Sequence, residues 1–296
     1  MKRHALALAA ALTPVAAAAQ EDPPRIAVVS AYAPEWEILK AAVADPKETV
    51  IRGTTFVTGT IEGEPVVLFL SGISMVNAAM TVERAANNFD LAGIVFSGIA
   101  GGVDPALNVG DVVIADRWGE YLETIFARET DGTFAIPPWM SSEFPNYGMM
   151  FTNTVSVVDP ETSELSERFW FPVDEGYLER ARRAVEGLDL AACNAENACL
   201  DEAPEIVVGG SGVSGSAFVD NAAFREFVFG TFGAQVLDME SAAVAHVAYA
   251  NGLPFIAFRS LSDLAGGGEG ENELPTFFSI AAGNSAEVVK AFLAGE

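Results

Sequence analysis

Residues 236–267 read VLDMESAAVAHVAYANGLPFIAFRSLSDLAGG, and their punctuation decides the fold. The run Ala234 to Leu237 just before and into this stretch is short and apolar, as a strand is. Asp238 stands before a helical stretch with Glu240 in its first turn, where the helix dipole favours negative charge. The helix stops at Asn251-Gly252, a C-terminal signal, and Pro254 follows. Pro254 to Phe258 (PFIAF) then reads as a buried strand between turn signals. A strand–helix–strand unit predicts two parallel strands whose carboxyl ends share one rim. Glu240 follows the first of those ends; Arg259, Ser262 and Asp263 follow the second. Ligands of open α/β sheets bind along such a rim. Two carboxylates and a guanidinium are therefore predicted to face one crevice, the candidate active site.

Outward from this unit, Arg25 to Ser30 (RIAVVS) reads as a buried first strand. Pro34 suits the first position of a helix running to about Val43. Glu35 shares a face with Ile38, Leu39 and Ala42, at spacings of three, four and seven, while Glu37 shares one with Lys40 and Ala41. Helical spacing thus turns Glu35 inward, to the same rim, and Glu37 outward. The plainer reading of Glu35 is a solvated carboxylate at a helix start. Thr49 to Phe69 predicts a hairpin turning at Glu62-Gly63-Glu64-Pro65, and Ser71-Gly72-Ile73 leads into a helix through Ala86. Gly93 to Ser97 is a buried strand ending in Gly98-Ile99-Ala100-Gly101-Gly102. Glycines there either admit backbone N–H groups to a ligand or make a tight turn. Asn108 to Asp111 turns into a further strand, Val112 to Ala115.

Residues 117–175 look irregular and carry Trp118, Tyr121, Trp139, Tyr147, Phe169, Trp170 and Phe171. They predict an insertion that either lays an aromatic wall over the rim or packs as loops. Residues 175–189 form a helix whose Arg180, Arg182 and Arg183 make a solvated basic face. Gly210, Gly212 and Gly215 match G-x-G-x-x-G, but Ser216 to Asp220 separates them from the next helix, against a dinucleotide site. A second reading of that segment sets Phe218 beside the rim, its ring free to stack on a base. The final helix, Thr276 to Leu293, is predicted to pack outside.

The whole chain has 296 residues, half of them hydrophobic, enough for one large α/β domain or two small ones. Lys2 and Arg3, the apolar run Ala5 to Ala19 and the Ala17-Ala18-Ala19 end have the order of a secretory leader. Residues 1–19 are thus expected to be removed, leaving an exported, periplasmic or secreted protein with no membrane anchor. Loss of Lys2 and Arg3 takes the formal charge from −25 to −27. Such a surface repels phosphate backbones and argues against nucleic acid. Cys193 and Cys199 lie close together in a polar, loop-like segment, which in an exported chain suggests a disulfide of about 2 kcal/mol at most. Two thiolates without a nearby histidine are half a metal site, so no metal and no cofactor is expected. His4 leaves with the leader, so His246 stands alone, mid-helix and structural. Acid–base chemistry then falls to carboxylates, since a Ser–His or Cys–His nucleophile is hard to build.

Six stretches together carry a family resemblance: SAYAPEWEIL (30–39), SGISMVNAAM (71–80), SGIAGGVDPALNVGDVVIAD (97–116), SGSAFVDN (214–221), LDMESAAVAHV (237–247) and FRSLSDLA (258–265). From about Arg25 to Leu293 the chain resembles the nucleoside phosphorylase superfamily, specifically the methylthioadenosine/S-adenosylhomocysteine nucleosidases. It is still more similar to their secreted plant relatives, which include bark storage proteins; the paired cysteines and the SLSDLAGGG ending resemble that subgroup. The resemblance implies a three-layer α/β/α sandwich on a central mixed, mostly parallel twisted sheet, and a homodimer. It implies a small-molecule purine nucleoside as substrate. Asp263 would protonate N7 of the purine, Glu240 would bind the ribose hydroxyls, and Glu35 would activate the attacking water. Phe218 would stack on the base while the Val219 backbone reads its edge. Met239 would line the ribose, and Arg259 and Ser262 would help hold the water and Asp263.

Three positions depart from the family. Phosphorylases carry a phosphate-binding arginine two residues before Gly98, where this chain has Phe96. Ile99 stands where a hydroxyl often follows that glycine, beside the ribose. Ser74 replaces a usual glycine. The expectation is hydrolysis of the N-glycosidic bond of adenosine-type nucleosides by water. The rivals are a phosphate-dependent phosphorylase, which would need phosphate for turnover, and a non-catalytic nucleoside-binding or storage protein, which would bind without turnover.

Overall fold

The most apolar runs of the chain become the middle of one sheet in the computed structural model, which describes residues 23–268 and 270–295. The expected leader lies outside the described residues. The chain runs β1 (Arg25–Ser30), α1 (Ala33–Ala41), β2 (Ala44–Ile51), β3 (Thr54–Ile61), β4 (Glu64–Leu70), α2 (Met75–Ala86) and β5 (Leu91–Gly102). Short strands follow: β6 (Val112–Ile114), β7 (Arg117–Glu120), β8 (Thr124–Phe126), β9 (Arg128–Thr130) and β10 (Thr133–Ala135). After them come β11 (Met150–Thr152), β12 (Val155–Val158), β13 (Leu165–Arg168) and β14 (Trp170–Pro172). The last third holds α3 (Glu175–Ala184), β15 (Ile206–Val208), β16 (Ser211–Ser214), α4 (Ala222–Phe232) and β17 (Ala234–Asp238). It ends with α5 (Ser241–Ala250), β18 (Phe255–Asp263) and α6 (Leu274–Ala294).

The main sheet is 12-stranded and mixed, in the order β14-β7-β16-β17-β5-β1-β4-β3-β2, with β18 joining β5 to β6 and β6 pairing β15. Parallel pairs β1–β4, β1–β5 and β5–β18 form its centre. Val28, Val29, Ile94, Val95, Ile256 and Phe258 are all buried there, as expected of strands covered on both faces. Helices α1, α3 and α6 pack together on one side, and α2 packs with α5 on the other. The result is a three-layer α/β/α arrangement.

Several local expectations need correction. The strands β17 and β18 are not parallel neighbours. The strand β5 lies between them, because Gly98 to Gly102 continue it instead of turning. It runs parallel to β18 and antiparallel to β17. Leu237 and Asp263 both pair with Gly101, from opposite sides. The two carboxyl ends therefore still meet, by approaching head-on. The expected hairpin is a three-stranded meander, since Arg52 (φ 49°) and Gly53 (φ 85°) form a second turn like Glu62-Gly63. Consecutive positive φ values suit two-residue hairpin turns.

Residues 117–175 are more regular than they look. The strands β7 and β14 extend the main sheet, and the other six pair into three small sheets. Trp118 and Phe171 join the main core, while Tyr121 and Phe169 join a second apolar cluster with Val213, Val219 and Phe232. The Gly-x-Gly segment serves packing: a Cβ on Gly212 would lie 2.5 Å from the Trp118 ring, and one on Gly215 2.5 Å from Leu122. No helix opens there among the described residues until α4, capped by Asn221. Arg180 is not a solvated cation; it donates to the Phe292 and Leu293 carbonyls at the end of α6. As expected, α6 packs on the outside of the sheet, with Ile280, Ser285, Val289 and Phe292 buried against it. His246 is structural, with Nδ1 2.7 Å from Glu120 Oε1 and its ring stacked on Phe171. Cys193 and Cys199 form a disulfide.

Candidate active site

The site is assembled around one buried cation. Arg259, 1% exposed, projects from β18 across β5, with its guanidinium 4.0 Å from the Phe96 ring centre. Its Nε lies 2.7 Å from Asp238 Oδ2 and donates to Ser241 Oγ at 2.9 Å. Nη2 donates to Glu240 Oε2 and Nη1 to the Ile99 carbonyl, each at 3.4 Å. A buried guanidinium needs such partners, because an unpaired buried charge is severely penalised. Gly98 gives it room to pass: a Cβ there would lie 2.1 Å from Nη1.

Each carboxylate is placed by backbone. Glu35 occupies the third position of α1, which begins at Ala33, so that Pro34 stands second rather than first. Its Oε2 accepts the N–H groups of Ala31 (3.3 Å) and Tyr32 (3.1 Å), and Oε1 accepts that of Ile99 (3.1 Å). Helical spacing read Glu35 and Glu37 correctly: the first is 3% exposed and the second faces solvent. Ile38, expected on the inward face, is exposed. Asp238 ends β17, and its Oδ1 accepts the N–H groups of Glu240 and Ser241, both at 3.1 Å, and the Ser214 hydroxyl. Those bonds satisfy the otherwise open start of α5 and aim Glu240 at the site. Glu240 Oε1 accepts the Ser74 N–H at 2.8 Å. Asp263 ends β18; its Oδ1 accepts the Ala265 N–H (2.8 Å) and its Oδ2 the Ser262 hydroxyl (3.0 Å).

Burial raises the pKa of all three acids. For Glu35, desolvation outweighs Arg259 and three backbone N–H groups, which pull the other way. For Glu240, desolvation leads and the charges of Asp238 and Glu35 add to it, against Arg259 and the Ser74 N–H. For Asp263, desolvation again leads, against the Ala265 N–H and the Ser262 hydroxyl. Ionisable groups perturbed together in a cleft mark a functional site.

Glu35, Glu240 and Asp263 line one cavity of about 350 Å³ with Ile99, Phe218, Val219, Met239, Arg259 and Ser262. That volume suits a small organic ligand. Gly98 lies beneath Arg259 rather than on the wall, and the Cys193–Cys199 loop is not part of the lining. No lining residue comes from 117–175, so of the two readings of that segment packing holds and the aromatic wall does not, among the described residues. Its place is taken by Tyr32, Ile73, Leu274 and Phe278, which sequence reading missed. The Tyr32 and Phe278 rings meet edge-on with centres 5.3 Å apart. Asp238 and Ser285 were missed as well. The available signal for Ser285 was the polar pair Asn284-Ser285 inside the otherwise apolar run 280–286. No group of three or more His, Cys, Asp or Glu side chains is placed to hold a metal among the described residues.

Fold and site together define an α/β/α enzyme that handles a small molecule between buried acids and an aromatic ring. The family model for the phosphorylase superfamily matches residues 25–294, and the chain belongs to that superfamily. It is 31% identical over 268 residues to the 5′-methylthioadenosine/S-adenosylhomocysteine nucleosidase of Lysinibacillus sphaericus, covering 90% of this chain and 96% of that one. The Marinomonas sp. nucleosidase of the same description is 30% identical over 272 residues, covering 91% and 98%. Among solved structures, the Colwellia psychrerythraea nucleosidase in complex with adenine superposes with a TM-score of 0.68 at 24% identity, covering 92% of this chain and 95% of that one. The S. pneumoniae nucleosidase with a transition-state inhibitor gives 0.67 at 24% identity, covering 91% and 98%. At that identity the structures speak for the fold.

Proposed function

We propose that this protein is a purine-nucleoside N-ribohydrolase that cleaves adenosine-type nucleosides of the 5′-methylthioadenosine/S-adenosylhomocysteine class with water. The observation that carries the reading is the convergence of Glu35, Glu240 and Asp263 on one cavity that Phe218 and Arg259 also line. The base stacks on Phe218, with the Val219 backbone at its edge. Asp263 gives its proton to N7 as the N-glycosidic bond breaks, so the purine leaves neutral. General acid help of this kind typically contributes about 10²- to 10⁴-fold. Glu240 binds the ribose hydroxyls, and Met239 packs on the sugar. The electron-poor ribose is stabilised by the nearby carboxylates. Glu35 takes a proton from water as the water's oxygen bonds to C1′. The paired carboxylate logic is that of glycoside hydrolysis.

Water is favoured over phosphate by the charge of the cavity. Arg259 is the sole cation among its described lining residues, and Asp238 and Glu240 already engage it. Phe96 fills the place of a phosphate-binding arginine. The leader and the paired cysteines support export and a place among secreted relatives. The exposed Ile73 and Phe218 of the cavity lining, with Val76 and Met80 exposed on α2, support a homodimer that covers them.

The test is adenine release from 5′-methylthioadenosine by purified mature protein, followed by chromatography with and without phosphate. Release without phosphate, lost in Asp263→Asn, supports the reading. Ribose-1-phosphate formed only with phosphate would select a phosphorylase. Tight adenine binding without turnover would select a binding or storage protein. Light scattering tests the dimer, and sequencing the N-terminus of the exported protein tests leader removal.

A further inference from the structure

Ser74 has a backbone conformation that serine avoids. Its φ of 83° and ψ of 157° fall where glycine alone is at ease. The other described non-glycine residues with positive φ lie between 49° and 63°, close to the left-handed range open to L-residues. A residue in so costly a conformation is held there by what surrounds it.

Ser74 reaches two segments remote in sequence. Its N–H donates to Glu240 Oε1 at 2.8 Å, and its hydroxyl donates to Ser216 Oγ at 3.0 Å. Its carbonyl accepts the Ala78 N–H and so begins α2. Ile73 on one side of the hydroxyl pair, and Ala217 and Phe218 on the other, line the cavity. The Ser74–Ser216 bond, on the solvent side, therefore ties together the two segments that carry these lining residues. Val219 anchors the far end of this loop in the second apolar cluster, but Phe218 is 60% exposed, so packing does little to hold its ring. A glycine at residue 74 would deliver the same N–H without strain. What serine adds is the hydroxyl.

We propose that Ser74 is a positioning residue whose hydroxyl latches the Phe218 loop, through Ser216, to the helix end that holds Glu240. Its effect on kinetics rests on the nucleosidase reading; the latch itself does not. The variants are Ser74→Gly, Ser74→Ala, Ser216→Ala and the double Ser74→Gly/Ser216→Ala. In ligand-free protein, amide exchange at Ala217 to Val219 is expected to speed up about three- to tenfold in each single variant, the scale of one net hydrogen bond. The double variant is expected to match the singles, because both remove the same bond. With 5′-methylthioadenosine, KM is expected to rise by a similar factor and kcat to fall less. Ser74→Gly is also expected to raise Tm, since it relieves the backbone, whereas Ser216→Ala is not. Unchanged exchange at 217–219 in both Ser74→Gly and Ser216→Ala overturns the latch, as do effects of the two substitutions that multiply. If the wild-type protein turns over no nucleoside, the nucleosidase reading falls, and exchange alone supports or overturns the latch.

Discussion

Nη1 of Arg259 lies 2.1 Å from where a Cβ on Gly98 would stand. The guanidinium has nowhere else to go. Phe96 lies against its face, and Asp238, Ser241 and Glu240 hold its edge. A methyl group at residue 98 must displace Arg259 or part β5 from β18. Gly98→Ala is expected to destabilise the protein by about 1–3 kcal/mol, the range for overpacking a core. It is expected to lower kcat/KM by about 10²-fold, as misplacing a reacting group by 1 Å does. Urea unfolding and steady-state kinetics measure the two effects. Full activity in this variant would mean that Arg259 does not organise the acids.

Asp263 and Glu35 must hold opposite protonation states for the proposed reaction, one neutral and one ionised, and burial raises both pKa values. Asp263 acts while protonated, so rate is lost as pH rises through its pKa. Glu35 acts while ionised, so rate is lost as pH falls through its pKa. The kcat/KM profile is therefore expected to be a bell, with both limbs above the ordinary carboxylate range. Asp263→Asn keeps an oxygen for the Ala265 N–H but has no proton to give. It is expected to cut kcat by about 10²- to 10⁴-fold and to leave adenine binding by calorimetry largely intact. A variant that lost binding and rate equally would assign Asp263 to binding.

How far the sequence announced this site depends on what each inference rested on. Glu35 was legible because helical spacing ties direction to position, and a buried carboxylate at a helix start has backbone N–H groups waiting for it. Glu240, Arg259 and Asp263 were legible as strand-end residues, although the reasoning assumed parallel neighbours. Their meeting point survives because Gly101 pairs with both Leu237 and Asp263. Antiparallel pairing of β17 was not legible, since periodicity carries no strand direction. Nor were Tyr32, Leu274 and Phe278. An aromatic or aliphatic side chain announces burial, not which cavity it will line. The aromatics of 117–175 left wall and packing both open for the same reason, and packing is what Trp118, Tyr121 and Phe169 do, buried in cores.

Three buried acids with raised pKa values also set how stability varies with pH. Glu35, Glu240 and Asp263 each keep a proton to higher pH in the folded chain than in the unfolded one. Below the unfolded value both states are protonated, and their contribution is fully present. As pH rises past it, the unfolded chain ionises first and stability falls until the folded groups ionise too. The net charge of −25 acts in the same direction through self-repulsion. Calorimetry is expected to show Tm falling between about pH 5 and about pH 8, a range where many proteins are near their most stable. Substituting glutamine at Glu35 is expected to flatten that slope. A Tm that rises across the same range would show that ion pairing to Arg259 outweighs burial.

Ser285 is expected to matter to a reaction it does not touch. It is fully buried on α6, and its hydroxyl uses its whole bonding capacity. It donates to the Phe258 carbonyl at 2.9 Å, accepts the Gly98 N–H at 3.0 Å and pairs with the Ser97 hydroxyl at 2.9 Å. The helix thereby pins β5 and β18 at the point where Arg259 crosses Gly98. Ser285→Ala strands the Gly98 N–H, at a cost of about 1–3 kcal/mol for a buried donor without a partner. If the hydroxyl were only a core contact, Tm would fall and the pH profile would keep its shape. If it positions Gly98, Arg259 shifts with it. Arg259 holds the Glu35 pKa down against burial, so its withdrawal is expected to move the acidic limb of kcat/KM to higher pH. Kinetics across that limb, run beside thermal unfolding of the same variant, separate the two roles.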